Sequence, residues 1–265
     1  MEASGQETRG PARVNAIAAR VMLVTGGSRG IGAAIARAAG AAGYRVGVNY
    51  LKREDAALAV VADIRAAGGE AHALQADVGR PDEVRRLFSE LDAALGTPDV
   101  LISNAGILTS FRIDAFDDDA LADIFRANVF STFYCAREAV RRMSTARGGR
   151  GGVIVNLSSV AARLGGLSGG AAYAATKGAI SSFTVALAKE VAREGIRVNA
   201  LSPGLIDTEI QQLHGSVENL RRLAETAVPL GRPGTADEVA QAALWLASDA
   251  ASYIHGAVID VSGGR

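Results

Sequence analysis

The sequence predicts an α/β protein built on a single, doubly wound parallel sheet of seven strands with helices on both faces. Short β-branched runs alternate with longer Ala-rich helical stretches along nearly all of the 265 residues. A glycine-rich turn, TGGSRGIG, follows the first such run and leads directly into a helical stretch. Repeated units of this kind give parallel strands, because each helical crossover returns the chain to the same edge of the sheet.

The predicted elements follow one another with little chain between them. Residues 1–19 carry no strand or helix period, so we expect a disordered leader there, followed by one domain at 20–265. Within that domain no linker rich in Pro, Gly or Ser separates a second unit. The predicted strands cover 21–24, 45–48, 71–74, 99–102, 153–157, 196–201 and 257–261, and the predicted helices cover 31–42, 54–67, a stretch opened by Pro81, 117–145, 171–193 and 235–246.

Composition and charge exclude several classes of protein. The chain is 49% hydrophobic and carries 28 basic and 28 acidic residues, so no net charge draws it to nucleic acid or to an anionic membrane. The sequence contains neither 18 consecutive apolar residues nor a secretory leader. One cysteine and three scattered histidines provide no internal disulfide and no metal-ligand spacing. We expect a cytoplasmic protein without a bound metal, in which Cys135 is a small buried core residue.

The turn between the first strand and the first helix has the composition of a phosphate-binding loop. Gly26 allows a sharp turn at positive φ, Gly30 lets backbone amides approach a pyrophosphate, and Gly32 lets the helix pack closely on the strand. The N-terminus of the helix then faces the anion. Because the spacing is GxxxGxG and not the dinucleotide pattern GxGxxG, an ordinary strand-to-helix turn is the alternative.

The end of the second strand indicates which dinucleotide fits. A carboxylate there would bind the ribose 2′-hydroxyl of NAD, yet the sequence reads VNYLKR. Lys52, Arg53 and Arg29 of the loop could neutralise a 2′-phosphate, since guanidinium groups match phosphate geometry. The pattern favours NADPH over NADH, and solvated charges at a helix start are the alternative. Asp77 after the third strand and Asn104 after the fourth extend the same crevice.

A tyrosine and a lysine four residues apart supply candidate acid–base chemistry. Tyr173 and Lys177 in AYAATK lie on one face of a predicted helix. A phenol with a pKa of about 10 is a poor acid at neutral pH, and we expect the adjacent ammonium to lower that pKa. Ser158 and Ser159 end the fifth strand, where a hydroxyl can donate to a carbonyl oxygen that gains charge. The pattern alone is also typical of an ordinary surface pair.

Jointly these motifs resemble those of the short-chain dehydrogenase/reductase family, from about residue 21 to residue 265. They occur in the family's order: TGGSRGIG, Asp77-Val78, Asn104-Ala105-Gly106, Asn128 in ANV, NLSS, YAATK, Arg197-Val198-Asn199, Pro203-Gly204 and the terminal VSGG. The resemblance implies a Rossmann fold. It also implies an oxidoreductase that moves a hydride between NADP(H) and a carbonyl or secondary alcohol.

The resemblance further implies roles for individual residues. Tyr173 is then the general acid/base, and Lys177 holds the nicotinamide ribose and tunes Tyr173. Ser159 orients the substrate oxygen, Asn128 positions a water in a proton relay, and Thr208 meets the carboxamide. The residues expected to contact the cofactor are Gly26, Ser28, Arg29, Gly30, Ile31, Tyr50, Lys52, Arg53, Asp77, Val78, Asn104, Ala105, Gly106, Tyr173, Lys177, Pro203, Gly204, Ile206 and Thr208.

Two positions depart from the family pattern. Ser159 precedes Tyr173 by 14 residues, one more than the usual spacing, so Ser158 stays open as the active hydroxyl although Ser159 is favoured. His255 stands where relatives usually show a small hydroxyl residue. No catalytic role is assigned to it.

Three alternatives compete with this interpretation. The segment GLSGG matches the GxSxG of serine esterases around Ser168, with Asp207 and then His214 or His255 downstream, but no predicted strand leads directly into it. Two RGG units at 147–152 link a helix to a buried strand, which favours a solvated loop over RNA binding. A redox sensor that binds the cofactor without turnover is the third.

The sequence restricts the substrate only to a class. A 3-oxoacyl thioester or a small ketone is favoured, and a sugar or polyol is the alternative within the family. The substrate walls are expected from loops at 108–111, 161–170 and 205–222. A basic rim would suit an acidic acyl carrier protein, and scattered solvated charge is the alternative; the candidate rim residues are Arg163, Arg221 and Arg222.

The two longest predicted helices carry more apolar surface than one core face needs. They cover 117–145 and 171–193. Since family members commonly pair through these helices, we expect a homo-oligomer, most simply a tetramer. No nucleic-acid or membrane partner is expected.

Overall fold

A computed structural model describes residues 20–166, 169–209 and 217–265. The leader predicted at 1–19 lies outside the described residues, as do Ser168 and His214 of the esterase alternative. Within the described ranges, none of the helices combines the length and the apolar character needed to cross a membrane.

Seven parallel strands form the main sheet and confirm the predicted fold class. In chain order the strands are β1 (Val21–Val24), β2 (Arg45–Tyr50), β3 (Glu70–Gln75), β4 (Val100–Ser103), β5 (Gly152–Leu157), β6 (Ile196–Pro203), β7 (Ile206–Asp207), β8 (Gly234–Thr235) and β9 (Val258–Val261). The main sheet runs β3, β2, β1, β4, β5, β6, β9, while β7 and β8 pair separately. The order reverses between β1 and β4, and a crevice opens at such a point beyond the carboxyl ends of the strands.

Helices cover both faces of the sheet. They are α1 (Gly30–Ala41), α2 (Glu54–Ala66), α3 (Pro81–Ala94), α4 (Asp118–Phe125), α5 (Ser131–Met143), α6 (Ala161–Leu164), α7 (Ala171–Val191), α8 (Val217–Ala227) and α9 (Ala236–Ala247). On β1, Met22 and Val24 join a core with α1, α2 and α9, whereas Val21 and Leu23 join a second core with α3, α5 and α7. This alternation follows from the two-residue period of a strand buried on both faces.

The helix predicted at 117–145 is interrupted. A π-helical segment, Arg126–Phe130, separates α4 from α5. Two side chains bond back to carbonyls in this region: Ser131 Oγ donates to Ala127 O at 2.6 Å, and Thr132 Oγ1 donates to Asn128 O at 2.9 Å. Hydroxyls that bond back to the preceding turn bend helices, and π segments often occur at functional sites.

Three elements were not predicted from the sequence. They are the short α6, the amphipathic α8 and the small parallel sheet of β7 and β8. Helix α8 buries Leu220 and Ala224 against Leu205 and Val228, which form a small core separate from the other two. Its apolar positions are spaced four residues apart, so a helical period is present in a segment that the sequence analysis treated as loop.

Cys135 is buried on α5, as predicted. Burial, with a smaller contribution from Glu138, raises the pKa of its thiol to about 12. The thiolate that reacts or binds metals is therefore strongly disfavoured at neutral pH.

Candidate active site

A cavity of about 510 Å³ opens at the carboxyl ends of the central strands. All the residues expected to contact the cofactor line it, and so do Ser158 and Ser159. Asn128 lies behind the wall and is fully buried. The substrate loops enter the same cavity in part, through Leu108, Leu164 and Leu205, among others. The structure therefore brings the predicted cofactor, catalytic and substrate residues to one place.

The glycine-rich loop has the backbone that its sequence predicts. Gly26 and Gly30 adopt positive φ values of 60° and 53°. A Cβ on Gly32 would collide with the carbonyl oxygen of Gly26 and would lie 2.5 Å from the Asn104 side-chain nitrogen. The loop can therefore keep its shape only without side chains at these positions.

Helix α1 presents an open N-terminus to the cavity. Its N-cap residue, Arg29, makes no side-chain capping bond, and the first turn contains no acidic residue. The free N–H groups and the positive end of the helix dipole favour an anion there. A dinucleotide pyrophosphate fits this cradle.

Asn104 fastens the loop to the neighbouring strand. Its side-chain nitrogen donates to Thr25 O at 2.9 Å and to Gly26 O at 3.0 Å. In return, Thr25 Oγ1 accepts from the backbone N–H groups of Asn104 and Ala105, both at 3.0 Å. The side chain of Asn104 is thus committed to the loop and helps to hold it in shape.

Asn49 is a cavity residue that the sequence analysis passed over. It is buried at the end of β2, and its Oδ1 accepts from Gly26 N at 3.2 Å. Its Nδ2 donates to Leu74 O and Ala76 O, each at 3.2 Å. An Asn near the end of a buried strand was the available signal, since buried polar groups need partners.

Cationic side chains collect near the end of β2, on the cavity side away from β5. Lys52 and Arg53 are exposed and line the cavity together with Arg29. Arg29 pairs with Glu209 at 3.4 Å and Arg53 with Asp55 at 3.5 Å, both at solvent-exposed positions. Exposed pairs of this kind are weak, so a phosphate can compete for either guanidinium.

Tyr173 and Lys177 lie on the first turns of α7, at the carboxyl end of β5. The Lys177 ammonium is buried, donates to Leu157 O at 2.7 Å, and lies 5.6 Å from the centre of the Tyr173 ring. The Ser159 side chain lies close enough to Tyr173 to affect the pKa of the phenol, and its Oγ donates to Pro203 O at 3.5 Å. Phenol, hydroxyl and ammonium therefore form one cluster on the cavity wall.

The expected direction of the Tyr173 pKa is wrong for this structure. Burial raises the pKa of the phenol, and the Ser159 side chain only partly opposes that rise. The Lys177 ammonium is directed at the Leu157 carbonyl and not at the phenol oxygen, so it does not reverse the effect. Burial lowers the pKa of Lys177 itself to about 8.

The two serines at the end of β5 have different surroundings. Ser158 is buried, and its Oγ bonds to Lys177 O at 2.9 Å and to Ser181 Oγ at 2.7 Å. Ser159 is partly exposed, and its Oγ donates to Pro203 O at 3.5 Å and accepts from Ala161 N at 3.1 Å. Ser158 thus fastens β5 to α7, whereas Ser159 is directed toward the cavity.

Asn128 lies within the π-helical segment. Its Oδ1 accepts from Ile107 N at 2.7 Å, and its Nδ2 donates to Ile107 O at 3.0 Å and to Thr176 Oγ1 at 3.0 Å. Because Thr176 precedes Lys177, Asn128 connects the loop after β4 to the helix that carries the catalytic candidates. These three hydrogen bonds of the Asn128 side chain all join it to Ile107 or Thr176.

The described residues do not support the esterase alternative. Strand β5 ends at Leu157 and α6 follows, so no strand enters the GLSGG segment, as a nucleophile elbow requires. His255 is instead bound between strands and helix: its Nδ1 accepts from Val198 N at 3.2 Å, and its Nε2 contacts Ala188 O at 2.7 Å. No metal-binding group of three or more His, Cys, Asp or Glu occurs in the ranges that the structure describes.

The RGG segment is an ordered connection between α5 and β5. Its Arg150 pairs with Asp99 at 3.1 Å. Gly149 and Gly151 approach the backbone of Met143 and Gly195 so closely that a Cβ would collide with it. These glycines have a packing role, which agrees with the loop interpretation.

A dinucleotide cradle at the point where the strand order reverses, next to a Ser-Tyr-Lys cluster, defines a nicotinamide-dependent oxidoreductase. A family model described as enoyl-(acyl carrier protein) reductase matches residues 26–265. The chain belongs to the short-chain dehydrogenase/reductase family, whose members use NAD(P).

Individual relatives agree with that assignment. The chain is 44% identical over 246 residues to YgfF of Escherichia coli, described as an uncharacterized oxidoreductase, with 92% of this chain and 99% of that protein covered. It is 38% identical over 242 residues to the 3-oxoacyl-(acyl-carrier-protein) reductase FabG of Staphylococcus aureus, with 91% and 96% covered. A short chain dehydrogenase from Burkholderia cenocepacia, solved in complex with NADP, superposes with a TM-score of 0.84 at 34% identity and covers 92% of this chain and 97% of its own.

Proposed function

We propose that this protein is an NADPH-dependent reductase of a 3-oxoacyl thioester or a small ketone. The observation that supports it most directly is that Ser159, Tyr173 and the buried Lys177 line the same cavity, with the Lys177 ammonium 5.6 Å from the centre of the Tyr173 ring. The identity to FabG of Staphylococcus aureus supports a 3-oxoacyl substrate. Reduction of a sugar or polyol-derived ketone is the alternative within the same chemistry.

In this mechanism the bound NADPH supplies a hydride to the carbonyl carbon. The Ser159 hydroxyl donates to the carbonyl oxygen and orients it. As negative charge develops on that oxygen, the Tyr173 O–H transfers its proton to it, which leaves a secondary alcohol and a phenolate. The positive charge of Lys177, 5.6 Å from the centre of the Tyr173 ring, stabilises that phenolate through space until solvent protons restore the phenol.

Asn128 and Thr176 act indirectly in this proposal, through the position of Lys177. Their hydrogen bond ties the loop after β4 to the start of α7, and thereby fixes the position of Lys177 relative to the cavity. Proton return from solvent through a water positioned near Asn128 is the role that the family resemblance suggests. Ser158 has a structural role, because both of its hydrogen bonds hold α7 against β5.

The experiment that tests the proposal combines cofactor binding with a panel of carbonyl compounds. The purified protein is titrated with NADPH and NADH, and NADPH oxidation is then followed with an acetoacetyl thioester, ketoses and aromatic ketones. Turnover of the thioester above the ketoses supports the proposal. A tenfold preference for NADH, or no oxidation with any carbonyl, contradicts it.

Lys52→Ala is expected to weaken NADPH binding about tenfold and to leave NADH binding unchanged. The reason is that a cation beside a 2′-phosphate contributes a charge-assisted hydrogen bond of about 1.5–3 kcal/mol, whereas NADH has no phosphate there. Fluorescence titration of each cofactor measures the effect. Arg85→Ala, an exposed change on α3 outside the cavity lining, is the control. Equal weakening of NADPH and NADH binding would contradict the assignment of Lys52 to the 2′-phosphate site.

The pH profile of kcat/KM for NADPH is expected to fall as pH rises through about 8. Lys177 has a pKa of about 8 in the cofactor-free protein, so above that value it loses the charge that stabilises the phenolate. In Lys177→Arg the guanidinium keeps its charge, and the alkaline limb should move up by more than one pH unit. Initial rates from pH 6 to 10 check this. An unchanged alkaline limb in the variant assigns the titration to another group.

We also propose that the protein assembles as a homotetramer. Phe130 and Phe133 on the α5 side and Val185 on α7 are exposed, and Phe133 stacks on Phe183 with ring centres 3.9 Å apart. Together they form an apolar surface across two adjacent helices, of the kind that subunit interfaces cover. A light-scattering mass of one chain contradicts this proposal.

A further inference from the structure

The wall of the cavity nearest β6 and β9 contains a cation that neither the sequence analysis nor the proposed mechanism uses. Arg265 lines the cavity there. The segment that carries it follows β9 and packs against Gly204, whose N–H donates to Val261 O at 3.0 Å. The sheet order places this wall on the far side of β5 from β2, where the cations proposed for the 2′-phosphate lie. Arg265 is therefore separated from those cations by the central strands of the sheet.

The backbone of Arg265 is held in place. Its carbonyl oxygen accepts from Arg163 Nη2 at 3.1 Å and from Ser262 Oγ at 3.1 Å. Arg163 belongs to α6, close behind Ser159, and also pairs with Asp260 at 2.7 Å. Arg163 thus anchors the main chain of Arg265 and pairs with Asp260 at an exposed position, and the basic rim around it stays a prediction.

The guanidinium of Arg265 has no such partner. In the described part of the chain it forms no ion pair with an Asp or Glu side chain, in contrast to Arg29, Arg53 and Arg163. Arg265 is partly buried, and the cavity that it lines also contains the apolar side chains of Val160, Leu164 and Leu205. A positioned cation in apolar surroundings favours an anion that comes with the substrate.

We propose that Arg265 determines substrate specificity by binding an anionic oxygen group of the substrate, a carboxylate or a phosphate. This inference rests on the proposed function, since it assumes that a ketone is reduced at Tyr173. Arg163 is then a positioning residue, which acts through the carbonyl of Arg265 and does not touch the substrate.

Three ketones with the same 3-oxobutanoyl unit test the inference. Acetoacetate carries a carboxylate near the ketone, acetoacetyl-CoA carries phosphates far from it, and acetoacetyl-N-acetylcysteamine is a neutral thioester. Arg265→Ala should raise KM about tenfold or more for one of the two anionic ketones, with kcat and the KM of the neutral thioester unchanged. Which anionic ketone responds identifies the source of the anion. Equal KM changes for all three, or no change for any, overturn the inference.

Two further measurements are needed. One tests whether Arg163 acts through Arg265, and the other distinguishes failure of this inference from failure of the proposed function. Arg163→Ala should raise the same KM in the native background and leave it unchanged in Arg265→Ala, because it acts only through Arg265. If no ketone is turned over, the proposed function fails. The inference is then judged by calorimetric titration of acetoacetyl-CoA and acetoacetate into NADPH-loaded Tyr173→Phe, with and without Arg265→Ala. Indistinguishable affinities in that pair overturn it as well.

Discussion

Tyr173→Phe is expected to lower kcat about a hundredfold to ten-thousandfold while NADPH binds with unchanged affinity. The substitution removes one oxygen atom and keeps the ring that lies 5.6 Å from the Lys177 ammonium, so the wall of the cavity keeps its shape. A positioned proton donor contributes roughly 10²–10⁴-fold to such a reaction. Initial-rate kinetics with the acetoacetyl thioester, together with fluorescence titration of NADPH, measure both quantities.

The same variant separates an enzyme from a sensor that binds the cofactor without turnover. A sensor would show no turnover in the native chain and no difference in the variant. Ser159→Ala is the graded comparison: it removes the hydroxyl that orients the substrate oxygen in the proposed mechanism but leaves the phenolic proton, so its loss of kcat should be smaller. If Ser158→Ala costs more kcat than Ser159→Ala, the assignment of the two serines is reversed.

Gly32→Val is expected to abolish measurable NADPH binding and to lower the free energy of unfolding by about 2–3 kcal/mol. A Cβ at this position collides with the Gly26 carbonyl and lies 2.5 Å from the Asn104 side chain, so the loop and α1 must move apart. Overpacking of this kind costs about 1–3 kcal/mol, and a β-branched residue adds a small helix penalty. Urea denaturation and NADPH titration measure the two effects.

Ala41→Val is the matched control, because it enlarges an exposed residue at the other end of the same helix. It should change the free energy of unfolding by less than about 0.7 kcal/mol, the range of helix propensities, and leave NADPH affinity unchanged. Native-like NADPH affinity in Gly32→Val would mean that the loop tolerates displacement. The close approach of α1 to the strand would then have no part in binding.

The sequence predicts the main sheet and the phosphate loop because both are determined locally. Buried parallel strands read as short apolar runs, and a turn at positive φ requires glycine, as at Gly26 and Gly30. The sequence predicts equally well that Tyr173 and Lys177 lie on one face of a helix, since they are four residues apart. These features depend on neighbours close in sequence.

Other features depend on contacts between distant segments and could not be predicted in the same way. Asn49 is recognised as part of the site only when Gly26 and Ala76 are seen beside it. The direction of the Tyr173 pKa depends on burial and on where the Lys177 ammonium is directed, which spacing does not reveal. Arg265 enters the cavity through the packing of the segment after β9.

The hydrogen bonds between Thr25 and Asn104 affect when the glycine-rich loop can fold during synthesis of the chain. Four hydrogen bonds join Thr25 and Gly26 to a segment 78 to 80 residues further along the chain. During synthesis the glycine turn leaves the ribosome long before the segment that fixes its shape, and closing so large a loop is slow. A nascent chain that stops short of β4 therefore has the phosphate motif without the means to hold a nucleotide.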